Sequence, residues 1–435
     1  MKPDYNRQGF YRHLIAAVVI MILYQGIGPF TLHKATFIPF GHDSSIDVTT
    51  SQWVTLPDYY TNLKWLYPTI REIDTIDAMQ PTDVAILPWS FMYPGLQPLP
   101  LNDTLFYNDP AGTISFQQWQ RESDMYDDFM AKKTQITIGG TVVLARGVHT
   151  VIQNNNDPLF PFGNTASLFK KSDISIINLK SPLIHNFEKP SNPFTLVGPA
   201  IYANALSEIG ITIAAIAGNH MGDAGTAGFE ETLHHLQANG IQTVGGGASH
   251  ADAYACRVID HNGNRFGFLA FNNVWSTIDK ATHATPGIAW LDEDALTAIS
   301  ACQSTVDMVI VMVNWGIEYT HAPRDIEREW AYKMANAGAT LILGDQAHWV
   351  QQHETINTTH VSYGLGNYIF DQHWSEKTRQ GIIQTVVVYN HRIIVRDTIP
   401  IELQPSGAVS RVPRGSSTYT NIMSAYNEPV APTPK

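Results

Sequence analysis

The chain has 435 residues, 44% hydrophobic and 15% charged, which supplies a sizeable core and excludes global disorder. Its length favours two folded units over one. Lys and Arg total 27 against 39 Asp and Glu, a net charge of -12, and an acidic surface repels phosphate backbones, so nucleic acid is set aside as a partner. A local cationic pocket for an anionic polymer stays open.

In chain order, residues 1–33 read as a cytoplasmic tip and signal-anchor helix. Lys2, Arg7 and Arg12 precede an uncharged stretch from Leu14 to Leu32, the charge order that sends the downstream chain across a membrane. Its strongly apolar part is short for a span and also suits a signal-peptide core. Pro29 spoils the nearest cleavage site, so an uncleaved, single-pass anchor with the bulk of the chain extracytoplasmic is expected. Residues 34–130 read as a small mixed module of short strands and loops, with Val84 to Trp89 its clearest apolar run.

From Ile136 the texture changes. Ile136 to Ile138, Asp173 to Leu179, Ile211 to Ala217, Phe266 to Phe271, Met308 to Val313 and Thr340 to Leu343 read as buried strands. Between them, helices are predicted over Phe229 to Asn239 and Asp325 to Asn336, the second with Ile326, Trp330, Lys333 and Met334 at helical spacing and Gly338 as a stop. This alternation predicts a layered α/β domain over 134–403. A hairpin turning at Asn390-His391 closes it, and residues 404–435, rich in Gly, Ser and Pro, read as an irregular tail. The two cysteines, Cys256 and Cys302, lack metal-type spacing and exclude a disulfide framework; a single bridge is open outside the cytoplasm, and free buried thiols are the expectation.

Sites in α/β folds gather where buried strands end. Four polar clusters stand at such ends. Gly218 to Asp223 carries Asn219, His220 and Asp223, a set suited to holding a metal or protonating a leaving oxygen, or to an ordinary capped turn. Val313 to Tyr319 offers Asn314 and Glu318. Gly344 to Trp349 offers Asp345 and His348, three apart. Tyr363 to Trp374 carries Asn367 among glycines and aromatic residues, the latter suited to a sugar platform or to core.

In this order the clusters resemble the bacterial capsule synthesis protein CapA family, whose domain has the calcineurin-like metallophosphoesterase fold. GNHMGDAG and the later GIQTVGGGASHADA are similar to the family's Asn-His-x-x-Asp-x-Gly segment and its glycine-rich turn. NWGIEY sits where the family has His-Trp-Gly-x-Glu, GDQAHWVQ where it has Gly-His-His-Pro-His, and YGLGNYIFDQ resembles Tyr-Ser-Leu-Gly-Asn-Phe. The likeness covers about residues 134–375, and ILPWSFMYPGLQPL resembles a short domain that precedes it in divergent members.

The departures fall on the family's metal ligands. Gly140 and Thr141 stand where the opening strand usually ends in Asp, Lys180 replaces the Glu of Asn-Leu-Glu, Asn314 replaces a His, and Asp345-Gln346 replaces a His pair. Asn178, Asn219, His220, Asp223, Glu318, His348 and Asn367 are retained. Dinuclear sites need several carboxylates and imidazoles to offset two divalent cations, so the resemblance implies a degenerate site in which Lys180 substitutes for a cation and binds an anionic group directly. One divalent ion (manganese, zinc or iron) held by His220, Asp345 and His348 is the remaining metal option; no cofactor is the other. The family implies a role in making or attaching capsule or poly-γ-glutamate. Its partners would be an anionic or sugar-containing surface polymer and membrane synthase components. Polymer binding would then involve Arg146, Asn178, Lys180, Asn314, Glu318 and Asn367. The rival expectations are a hydrolase or transferase acting on phosphoester or amide linkages, with Asn219, His220 and Asp223 catalytic, and a structural partner of a synthase complex.

Overall fold

A computed structural model describes residues 131–431 in full and, before them, only the backbone of five short strands, Phe37–Gly41, Trp53–Thr55, Arg71–Glu72, Val84–Pro88 and Gln97–Pro98. These five form one mixed sheet in which Val84–Pro88 runs antiparallel to Phe37–Gly41 and parallel to Trp53–Thr55. The anchor expected at 1–33 lies outside the described residues. Among the described residues no helix is long and apolar enough to cross a membrane. The chain divides into two units, 1–133 with 387–397 and 134–386 with 398–435.

The second unit is built on two sheets. In the first, Gln242–Val244, Ile213–Ala215, Ile174–Leu179 and Thr134–Val142 lie parallel, and Asn367–Ile369 also pairs with the last of these. The second sheet orders Arg257–His261, Asn264–Asn272, Met308–Asn314, Leu341–Asp345, Thr359–Ser362 and His353–Ile356, parallel through its centre with an antiparallel hairpin at each edge. The central strands are buried along their whole length, as continuous Val/Ile/Leu runs demand. One apolar cluster joins the first sheet to its helices through Ile177, Leu206, Ile216 and Phe229. Another joins the second sheet to the helices Glu293–Gln303 and Asp325–Asn336 through Ile299, Val311, Ala331 and Ile342.

Local chemistry sets the boundaries. The hairpin at Asn390-His391 turns with both residues at positive φ, 48° and 61°, as a two-residue turn between twisted strands requires. The helix Asp325–Asn336 matches its predicted span but buries a different face. Glu327, Arg328, Ala331 and Met334 point inward and Ile326 is exposed. Polar anchoring outweighs the apolar pattern here. Glu327 Oε2 accepts from the Arg324 backbone N–H at 2.7 Å, and Arg328 donates to Glu354 at 3.2 Å and to the Ala431 carbonyl at 2.7 Å.

Two expectations are corrected. The tail read as irregular contains a strand, Val409–Arg411, and a helix, Ser417–Asn427. That helix starts where the Ser416 side chain accepts from the Tyr419 N–H at 3.1 Å, and it buries Ile422, Met423 and Tyr426. The cysteines read as free thiols are bonded to each other, Cys256 to Cys302, with Cα atoms 5.6 Å apart and a sequence separation of 46. Gly267 makes room for the bridge, since a Cβ there would stand 2.2 Å from Cys302 Sγ. Closing a loop of this length restricts the unfolded chain, so Cys302→Ser is expected to cost about 2–4 kcal/mol in chemical denaturation under oxidising conditions. Reductant is expected to remove the difference between the two proteins.

Candidate functional site

The register of both sheets lines up polar residues in rows at the strand ends. In the second sheet Asn272 pairs with Asn314 and Asn314 with Asp345. In the first, Asn367 pairs with Thr141 and Thr141 with Asn178. The rows meet at Asp345. Its Oδ1 accepts from the Thr141 hydroxyl and its Oδ2 from the Asn178 amide. Lys180 Nζ stands 3.6 Å from Oδ2, and both side chains are 1% exposed.

Hydrogen bonds carry the network outward from this pair. Lys180 Nζ donates to Gln346 Oε1 at 2.8 Å, and Gln346 Nε2 donates to Glu318 Oε1 at 3.2 Å. Asn314 Nδ2 donates to Asn272 Oδ1 at 2.8 Å and to Asn219 Oδ1 at 3.3 Å, which ties the second strand end to the His220 turn. There His220 Nδ1 lies 2.9 Å from Asp223 Oδ2, an oxygen that also accepts from the Leu196 N–H at 2.6 Å. Arg146 is paired with Asp371 and lies over the Phe370 ring at 5.1 Å, and that ring is 5.4 Å from His348.

His348 has a fixed tautomer. Asn367 Nδ2 donates to the Thr378 carbonyl at 2.9 Å, so Asn367 Oδ1 faces His348 Nδ1 at 2.8 Å and that nitrogen must donate. Nε2 therefore carries the lone pair, 3.9 Å from Glu318 Oε1. Burial, and next the Lys180 charge, push the imidazole down to about 3, so it is neutral at ordinary pH. Burial also lowers Lys180, against the pull of Asp345 and Glu318.

The backbone is strained around the same point. Five described non-glycine, non-asparagine residues have positive φ, and four of them, Arg146, Tyr319, Gln346 and His348, are in this cluster. Left-handed conformations cost such residues about 1–2 kcal/mol each. The surrounding hydrogen bonds hold them there.

The sequence-derived residues thus come together, with three changes of role. Lys180 is too deeply buried to touch a polymer directly; it braces the floor of the site. Its carboxylate partner is Asp345, while Asp223 serves His220. The trio His220, Asp345 and His348 does not form a metal site, since among the described residues no group of three or more His, Cys, Asp and Glu is placed to hold an ion. The donor set argues the same way. An ammonium stands beside the buried carboxylate, both carboxylate oxygens are engaged, and the acceptors left over are the neutral amide oxygens Asn178 Oδ1 and Asn314 Oδ1 and the lone imidazole nitrogen His348 Nε2. These residues do not fit a dinuclear divalent centre. Sequence reasoning passed over Asn272 and Gln372, though the Asn272-Asn273 pair ends a buried strand as the four clusters do.

Removing the amine is expected to strand the carboxylate. Lys180→Met should cost about 3–5 kcal/mol in chemical denaturation, and Lys180→Met with Asp345→Asn should recover most of it, because the charge goes with its partner. For His348 the linkage runs through acid. Between the ordinary value of 6.5 and the folded value of about 3, the unfolded chain takes a proton that the folded chain refuses, so stability falls as pH drops through that window. Going from about pH 6.5 to about pH 5, His348→Asn should lose about 2 kcal/mol less stability than the unaltered protein.

Comparisons with known proteins bear on this geometry. The chain is 26% identical over 282 residues to the capsule biosynthesis protein CapA of Bacillus anthracis, covering 63% of this chain and 68% of that protein. It is 29% identical over 252 residues to the PGA biosynthesis protein CapA of Bacillus subtilis, covering 56% of this chain and 65% of the relative. Against the solved NAD nucleotidase of Haemophilus influenzae the TM-score is 0.38 at 12% identity, over 67% of this chain and 62% of that one, too slight a likeness to bear on the fold. The family model for the bacterial capsule synthesis protein PGA_cap matches residues 135–372, a span running from the opening strand of the first sheet to Gln372 beside the site. The chain belongs to the bacterial capsule synthesis protein PGA_cap family.

Proposed function

We propose that this protein acts in making or attaching a capsule-type or poly-γ-glutamate exopolymer, outside the cell membrane and held there by its N-terminal segment. Its strand-end site binds the polymer and does not depend on a dinuclear metal centre. Family membership and the biosynthetic roles named for the two Bacillus relatives support the exopolymer reading. The observation that carries the binding reading is the Lys180 ammonium, 3.6 Å from Asp345 and 2.8 Å from Gln346, filling the meeting point of the two strand-end rows. A positive charge fixed there opposes a divalent cation beside it. It leaves a floor of amides, one ion pair and a neutral imidazole beneath an open rim.

One observation favours a second reading. His220 is oriented by the buried Asp223 carboxylate and is partly exposed, with Trp275 edge-on at 6.4 Å. An imidazole held this way is suited to protonating a leaving oxygen without a metal.

Metal analysis of the purified full chain in detergent, calorimetric titration of capsular polymer and sizing of the polymer after incubation together separate these readings. Binding of polymer with manganese, zinc and iron well below one per chain is the expected result. Stoichiometric metal that departs with His220→Ala would overturn the binding reading. If polymer is instead cleaved, His220→Asn is expected to slow cleavage about 10²–10⁴-fold.

A further inference from the structure

The rim beside this floor is aromatic and is joined to it through Gln372, whose Oε1 accepts from Asn367 Nδ2 at 3.1 Å. Tyr319 follows Gly316 in a loop at the end of the strand Met308–Asn314 and is held at a φ of 61°, its N–H donating to the Ala347 carbonyl at 2.8 Å. Its hydroxyl accepts from Gln372 Nε2 at 3.3 Å. Three rings surround it, Trp374 at 6.0 Å and 77°, Trp349 at 6.3 Å and 56°, and His348 at 6.0 Å and 30°. Trp374 is 62% exposed and Tyr319 36% exposed, although both stand beside a packed strand end. Two large aromatic side chains fixed at an angle and left to water form an apolar corner with polar edges.

From this geometry we infer a glycan subsite, in which Tyr319 and Trp374 hold a pyranose ring of an uncharged or N-acetylated exopolysaccharide. The inference rests on the polymer-binding reading and narrows it to sugar. A pyranose offers C–H groups on its faces and hydroxyls around its edge. The aromatic faces take the first, and the half-exposed Glu318 carboxylate takes the second.

Charge at Glu318 weighs against a polyglutamate in the same corner. Glu318 is 45% exposed at its side chain and belongs to a chain of net charge -12. A polymer with a carboxylate on every residue would press like charge against it, whereas a hydroxyl donates to it. Of the nearby cations, Arg146 is paired with Asp371, Lys377 lies over Trp349 at 4.4 Å, and Arg379 donates to the His373 carbonyl at 3.3 Å.

The test uses the full chain in detergent, tryptophan fluorescence and calorimetry, with three probes: chitotetraose, cellotetraose and a γ-linked glutamate hexamer. Saturable binding of at least one saccharide is expected. Trp374→Ala and Tyr319→Ala should each weaken it about tenfold, with little change between about 50 and about 500 mM salt. Trp374 is largely exposed, so its variant should keep the melting temperature of the unaltered protein, which separates lost binding from lost folding. Saccharide binding indifferent to both substitutions would overturn the subsite. Binding of the glutamate hexamer alone, falling steeply with salt and surviving Trp374→Ala, would overturn the subsite and leave the polymer-binding reading standing. Silence from all three probes would sink both.

Discussion

A single buried ion pair, Lys180 with Asp345, joins the two sheets where their parallel strands end. Each partner alone would be a charge removed from water at a cost of several kcal/mol, so neither can shift without exposing the other to that cost. Thr141 and Asn178 approach Asp345 from the first sheet, and Asn314 pairs with it in register on the second. The pair therefore fixes the relative setting of both rows. The residues at positive φ gather around it because only such a network offsets their strain.

That constraint sets the character of the site. The floor carries one ammonium and one carboxylate, several amides and an imidazole kept neutral by burial and by the same ammonium. Nothing in it presents a concentrated negative charge to a cation. The groups at the rim are His220 with Trp275, and Glu318 and Tyr319 with Trp374. In the binding proposed above, the floor is structural and the rim is where a ligand is recognised.

Much of the fold was legible in the residues because buried strands are written as apolar runs. The six strands read from the sequence are all present, and polar clusters at their ends mark the site because a side chain just past a buried strand has few other uses. The legible part stopped where geometry across the chain decides. Ile326 looked like core and is exposed, since Glu327 and Arg328 found ion-pair and backbone partners, those of Arg328 far away in sequence. The tail looked shapeless, yet its Ser416 cap starts a helix whose Tyr426 hydroxyl meets Ser362 at 2.7 Å.

The sequence by itself determined the layered α/β class, the resemblance that the family match supports, and the loss of carboxylates and imidazoles from the expected ligand positions. It did so because strand periodicity and residue type are local properties. Only the tertiary structure decided which carboxylate Lys180 meets, that its amine is sealed from any ligand, and that Cys256 and Cys302 are joined. Those outcomes depend on the approach of residues 46 or more positions apart, and no local pattern encodes a distance across two sheets.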